Sequence, residues 1–195
     1  LRRAVERPMN SDLEFSSFGP YFRTWAAFSA DGRHRLLLGR QWDPLLPDKR
    51  VLFCMLNPSD ADEGRDDPTI RRCYGFAKAA DFTSFEVVNL FTLIDANPSV
   101  LSRAAEPLWP SMADADARII EAASARATQM VIAAWGAKPY ANGKLRTRAA
   151  HVRRLLGGIG PVHCLRPTKN GAPEHPLYLP SDRRPVIWFE GGPRA

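Results

Sequence analysis

The chain has 195 residues, 45% of them hydrophobic, so it can bury the core of one domain and is short for two. Its net charge of +6 modestly favours polyanionic partners such as nucleic acid, although many basic proteins have no such partner. The three cysteines are widely spaced and form no C-x-x-C pair, which argues against disulfide scaffolding, structural zinc and iron–sulfur clusters.

The first predicted element is a β-hairpin at about residues 21–42. Its two strands are rich in aromatic and β-branched or long apolar residues, and Asp31-Gly32 between them is typical of a hairpin turn. An α/β core of about residues 50–180 follows. We expect residues 1–195 to form a single domain with loosely ordered ends.

Four apolar segments alternate with helical patterns in this core. Asp67 and the first-turn Pro68 are expected to start the first helix, and Ser111 with Asp114 the second. Strands that alternate with helices of this length favour βαβ units with right-handed crossovers. We therefore expect a three-layer α/β/α fold with a mostly parallel central sheet of about four strands. The strands are predicted at 51–56, 85–91, 130–134 and 161–165.

Polar or unusual residues stand where these strands end. The carboxyl ends of parallel strands meet at one edge of an open α/β sheet, and such sheets bind their ligands there. A single strand-terminal asparagine is more often a turn former than a ligand, but four converging ends favour a site. The residues concerned are Asn57-Pro58-Ser59, Asn89, Trp135-Gly136 and the segment 166–180.

His175 lies in the last of these segments, where Pro176 restrains it. A loop histidine is by default a surface residue. We favour His175 over the other histidines because it alone is predicted at the sheet edge beside the asparagine-bearing strand ends.

Four short motifs in this order resemble the uracil-DNA glycosylase superfamily. More closely, roughly Arg33 to Pro180 resembles a bacterial and phage family known only as domain of unknown function 1643. The resemblance implies a uracil-DNA glycosylase-like fold and a monofunctional DNA glycosylase that flips out a base and hydrolyses its N-glycosidic bond. Such an enzyme would serve DNA repair or defence against modified phage DNA. The motifs are Asn57-Pro58-Ser59, Val88-Asn89-Leu90, Ala134-Trp135-Gly136-Ala137 and His175-Pro176.

The resemblance also implies a role for each matching residue. Asn57 would hold the attacking water, Asn89 would hydrogen-bond the base edge, and His175 would stabilise negative charge on the leaving base. Cleavage through an oxocarbenium-like sugar needs a donor at the leaving base more than a strong nucleophile, which suits these side chains. The other predicted substrate-binding residues are Pro58, Ser59, Asp67, Trp135 and Gly136.

Three positions depart from the superfamily pattern. Met55 stands where glycine is common, so the backbone is expected to approach a ligand less closely. Leu177 replaces a phosphate-contacting serine and, with Tyr178, could form an apolar wedge into the base stack. Ser59 replaces a bulky tyrosine that excludes 5-substituted bases. The expected substrate is therefore uracil or a 5-substituted pyrimidine.

Charged residues around these motifs have two interpretations each. Lys144, Arg146, Arg166 and Lys169 are predicted to contact DNA phosphates, although a solvated helix face explains the helical pair equally well. In the acidic stretch 60–67, the carboxylates of Asp66 and Asp67 could form ion pairs with Arg71 and Arg72. Alternatively, the Asp67 carboxylate could line the pocket. No metal-ligand spacing occurs there, so neither metal nor cofactor is predicted.

Two alternatives stay open. A nucleoside- or nucleotide-binding enzyme of the same fold would bind independently of duplex length, and a non-catalytic module for modified nucleic acid would bind without an abasic product. The expected partner is double- or single-stranded DNA, and we expect a monomer. The sequence has no signal-peptide core or membrane-length apolar run, so a cytoplasmic location is expected. Because the chain begins at Leu1, part of its N terminus is expected to have been removed.

Overall fold

The computed structural model describes residues 15–97, 99–103 and 112–191. The predicted loose ends fall largely on 1–14 and 192–195, and the predicted cap Ser111 also lies outside the described residues. Within the described part, seven strands form one mixed sheet in the order β1-β2-β4-β3-β5-β6-β7. They are β1 Arg23–Phe28, β2 Arg35–Gln41, β3 Arg50–Met55, β4 Ser84–Asn89, β5 Thr128–Ala133, β6 Val162–Cys164 and β7 Val186–Phe189.

The sheet has as many antiparallel as parallel pairings. The pairs β4–β3, β3–β5 and β5–β6 are parallel. The pairs β1–β2, β2–β4 and β6–β7 are antiparallel. The predicted α/β class is confirmed, but the sheet has seven strands instead of about four and is mixed instead of mostly parallel. Its three parallel pairings join the four predicted strands, β4, β3, β5 and β6. The predicted hairpin forms, but β2 extends the sheet by pairing with β4, and β7 adds an edge strand that its proline- and arginine-rich flank concealed.

The first and last helices begin at capping residues, Asp67 and Asn142. The Asp67 carboxylate accepts a hydrogen bond from the Ile70 N–H at 2.8 Å and Pro68 occupies the first turn, as predicted. Among the residues described, no helix has both the length and the apolar character needed to cross a bilayer. The helices are α1 Pro68–Ala79, α2 Val100–Arg103, α3 Met112–Ser124 and α4 Gly143–Ile159, with 3₁₀ turns at Lys138–Ala141 and Pro176–Tyr178.

Helices cover both faces of the sheet. Alternation along β3 directs Phe53 and Met55 into the core cluster beneath α1, and Cys54 and Leu56 into the cluster beneath α3 and α4. Successive residues at a strand end therefore point to opposite faces of the sheet. Two strand-end residues can share a site only if they point to the same face.

All three cysteines are buried thiols. Burial raises the pKa of Cys54 to about 12 and that of Cys164 to about 11, and it also raises the pKa of Cys73. We expect Ellman's reagent at pH 8 to leave the native thiols largely unmodified and to react with all three after unfolding in guanidinium. A rapid stoichiometric reaction of the native protein would contradict this burial.

Candidate active site

A cavity of about 350 Å³ opens at the sheet edge where β3 and β5 end. Its lining includes Trp135 and Gly136 after β5, together with His175 and Tyr178 from the loop after β6. Its volume is in the range of small-ligand sites. Two of the predicted motifs, separate in sequence, thus form walls of the same cavity.

Gly136 allows the His175 loop to approach the end of β5. It has a φ of +78°, which disfavours residues with a Cβ, and a Cβ built there would lie 3.4 Å from the His175 Cβ. Trp135 is buried and packs edge-on against Trp188, with ring centroids 5.4 Å apart. The glycine therefore sets the close approach, and the tryptophan supports the wall from within the core.

The His175 side chain is positioned as a neutral hydrogen-bond donor. The Leu177 N–H donates to Nδ1 at 3.3 Å, so the proton of the neutral ring belongs on Nε2. Burial lowers the pKa of His175, the nearby Asp67 carboxylate opposes this effect, and Lys138 adds to it. At neutral pH the ring is uncharged and can donate through Nε2–H.

Asn57 is held by its amide group just beyond β3. Its Nδ2 donates to the backbone carbonyls of Asp95 at 2.8 Å and Pro58 at 3.0 Å. Both amide protons are thus used, and the carbonyl Oδ1 remains as an acceptor. An acceptor fixed in this way can orient a water molecule.

Asn89 presents a buried amide at the end of β4. The residue is 3% exposed, and neither Nδ2 nor Oδ1 has a hydrogen-bond partner among the described residues. Register places Asn89 beside Met55, two residues before Asn57. A buried amide without partners is costly, so this group is a strong candidate for contact with a ligand.

Several predicted residues share this edge without lining the cavity. Asn57, Asn89, Pro58, Ser59 and Asp67 are absent from its wall. They belong to β4, or to the loop that leads from β3 to α1. Two observations connect that group with the cavity: Leu56, directly before Asn57, lines it, and the Asp67 carboxylate acts electrostatically on His175.

The predicted DNA-binding residues differ in exposure and in pairing. Lys144 and Arg146 lie exposed on the first two turns of α4, and Lys169 is exposed in its loop. Arg166 instead pairs with Glu174 at 2.5 Å. Leu177 is partly buried, whereas Tyr178 is 79% exposed at the cavity.

One of the arginines of helix α4, Arg148, is buried against the sheet instead of facing solvent. Arg148 is 8% exposed, and its Nε donates to the Leu90 carbonyl at 2.8 Å. Its Nη1 bonds to Asp116, which accepts a second contact from His151 at 2.7 Å. The helical spacing from Leu145 to Arg148 could have indicated this inward position.

The acidic stretch is organised by a buried arginine that the sequence interpretation missed. Arg40 is 0% exposed, its Nε donates to Asp66 at 3.0 Å, and its Nη2 donates to the Asp62 and Arg65 carbonyls. Tyr21 also donates to Asp66 through its hydroxyl. An arginine inside an otherwise apolar strand was the available signal.

The expected pairing of Arg71 and Arg72 with Asp66 and Asp67 does not occur. Arg71 donates to the backbone carbonyl of Asp66, and Arg72 donates to the carbonyl of Leu179, because Arg40 already holds the Asp66 carboxylate. In the described ranges, no three histidine, cysteine, aspartate or glutamate side chains come together as potential metal ligands.

Fold and site together define a mixed α/β protein with a candidate ligand site at the carboxyl ends of its parallel strands. Residues 35–177 match the model of the family described as Protein of unknown function (DUF1643), and the chain belongs to that family. The predicted membership is thereby confirmed, while the link to the uracil-DNA glycosylase superfamily stays a prediction. No curated protein and no solved structure matches the chain.

Proposed function

We propose that this protein is a DNA glycosylase-like hydrolase that extrudes a pyrimidine from DNA and cleaves its N-glycosidic bond, in DNA repair or in defence against modified phage DNA. The observation that carries the proposal is the buried, unpartnered amide of Asn89, at the same sheet edge as the neutral donor His175. A base edge would supply the hydrogen bonds that this amide lacks.

The proposed reaction is hydrolysis with separate roles for two side chains. The bond between C1′ and the base nitrogen breaks, and its electron pair stays on the base. His175 Nε2–H donates to a base oxygen, where part of this charge accumulates. Asn57 Oδ1 orients a water molecule whose oxygen bonds to C1′, and a proton from this water reaches the base through solvent. The products are free base and an abasic sugar.

A polynucleotide substrate is supported by the surroundings of the cavity. Lys138 lines it, and a neighbouring cavity of about 470 Å³ shares Ala137 and Thr168 with it and extends to Lys169. Two adjoining cavities with lysines provide room and charge for the nucleotide next to the extruded one. Binding by such contacts weakens steeply with salt.

The proposal is tested by incubating the protein with single- and double-stranded oligonucleotides that carry uracil, a mismatch or a 5-substituted pyrimidine. Alkali then reveals abasic sites as strand cleavage. We expect cleavage with at least one substrate, weaker as salt increases. Release from free nucleosides only would favour the nucleoside enzyme, and binding without cleavage would favour a non-catalytic module.

Ser59 provides a test of base specificity. Its side chain is small and partly buried in the loop after β3. We expect Ser59→Tyr to reduce release of 5-substituted pyrimidines by about 10-fold or more relative to uracil, because the ring would occupy the space of the substituent. The ratio of kcat/KM values for the two substrates measures this effect, with Ser59→Ala as the control that preserves the space. An unchanged ratio in Ser59→Tyr would show that Ser59 does not contact the substituent of the base.

A further inference from the structure

A second unpartnered polar group lies at the edge where β4 ends. Arg35 is the first residue of β2 and is 2% exposed. Its Nη1 donates to the Ala61 carbonyl at 2.7 Å, but its buried Nε has no hydrogen-bond partner in the described part of the chain. A buried guanidinium with an unused donor is costly unless a ligand completes its hydrogen bonding.

A β-bulge directs this side chain. Ala27 pairs with Leu37 and Phe28 with Arg35, so Leu36 is an extra residue in β2. Bulges of this kind redirect side chains and are frequent beside active sites. Here the guanidinium reaches Ala61, which belongs to the core cluster beneath α1.

Arg35 and Asn89 therefore share one layer at adjacent strand ends. The Arg35 N–H bonds to the Thr92 carbonyl, three residues beyond Asn89. Asn89 follows Phe85 and Val87 on alternate positions of β4, and both of these belong to the same α1-side cluster. The unpartnered atoms are two donors, Arg35 Nε and Asn89 Nδ2, and one acceptor, Asn89 Oδ1. The edge of a 4-oxopyrimidine offers the complement, because its carbonyl oxygens accept hydrogen bonds and its ring N–H donates one.

We propose that Arg35 is a further catalytic residue, which donates its Nε–H to a carbonyl oxygen of the extruded base and stabilises the anion formed as the glycosidic bond breaks. This inference rests on the proposed function. The negative charge of the Asp67 carboxylate would disfavour an anionic leaving base nearby. The Arg35 cation lies near Asp67 and offsets its charge. No other reactant is required, because the step is the same bond cleavage by water.

Leaving-group dependence separates this role from a structural one. Arg35→Gln should slow uracil release by about 100-fold, as expected when a charged donor to a developing anion is lost. Release of 5-fluorouracil should fall much less, because the more acidic base carries its charge with less help. The control is Arg65→Gln, since the exposed Arg65 binds the Asp60 carbonyl of the same loop without reaching the site. Equal losses for both bases in Arg35→Gln would overturn the proposal.

Binding of free 5-fluorouracil, observed by fluorine NMR, tests Arg35 independently of turnover. Binding should occur with wild type and Arg65→Gln and be lost in Arg35→Gln. If wild type releases no base but shows this pattern, the proposed function fails and the Arg35 site stands. Absence of binding to wild type, or undiminished binding to Arg35→Gln, overturns the site. If Arg35→Gln does not fold, Arg35→Lys serves in both assays, because lysine retains the charge but not the Nε–H.

Discussion

Replacement of His175 by alanine is expected to slow base release by about 100- to 1,000-fold, the usual cost of losing one donor to a developing anion. The side chain lies at the cavity, and the Leu177 N–H fixes its tautomer so that Nε2 donates. Single-turnover kinetics measure the chemical step directly.

The matched control for this variant is His151→Ala. His151 is partly exposed on α4 and contacts Asp116 at 2.7 Å, away from the cavity lining. Loss of an exposed contact of this kind should change the rate by no more than about threefold. Equal rates for wild type and His175→Ala, with both proteins folded, would remove His175 from the mechanism.

The same histidine predicts the pH dependence of the reaction. Burial lowers the pKa of His175 in the folded protein below its ordinary value of about 6.5. Base release should therefore be flat above about pH 6.5 and fall as the ring is protonated at lower pH, because protonated Nδ1 cannot accept the Leu177 N–H. The unfolded state binds more protons in this window, so stability should also fall with acidification. An acidic limb that persists unchanged in His175→Ala would show that another group titrates.

The largest expected effect on stability comes from Arg40. Arg40→Met should lower the free energy of unfolding by about 3–5 kcal/mol, because it leaves a buried carboxylate without its counter-charge. The Asp66 side chain is only 8% exposed and pairs with Arg40 at 2.9 Å. Tyr21, whose pKa is raised by burial, cannot replace the lost positive charge.

Denaturant unfolding followed by tryptophan fluorescence measures this loss. Arg65→Met is the control, since Arg65 is exposed in the same loop and should change stability by at most about 0.5 kcal/mol. A loss below about 1 kcal/mol for Arg40→Met would mean that the pair does not hold the acidic loop.

Some element ends could be predicted from the sequence, because a local change from apolar to polar residues marks them. An apolar run that stops at Asn57 locates the carboxyl end of β3 without any tertiary information. The strand predicted at 85–91 is located correctly, but β4 ends at Asn89, two residues earlier than predicted. Asp67-Pro68 likewise defines the start of α1 locally. The close approach of Gly136 to His175 follows once β5 and the loop after β6 reach that edge.

Contacts between distant segments could not be predicted from the sequence, because no local pattern encodes them. Arg40 and Asp66 are 26 residues apart, and they meet only once β2 has joined the sheet beside β4 and the loop after β3 has folded toward it. Leu36 appears as an ordinary strand residue until its partner strand shows it to be an extra one, so the direction of Arg35 could not be read from β2 alone.

The central claim is that this protein hydrolyses the N-glycosidic bond of a base in DNA. The most direct measurement is chromatographic detection of free base from a uracil- or 5-substituted-pyrimidine-containing oligonucleotide, with wild type and with folded Asn57→Ala. We expect wild type to yield one free base for each alkali-labile site, and the variant to yield almost none because water is no longer oriented by Oδ1. Absence of free base with wild type on every substrate, or undiminished release by Asn57→Ala, would contradict the account.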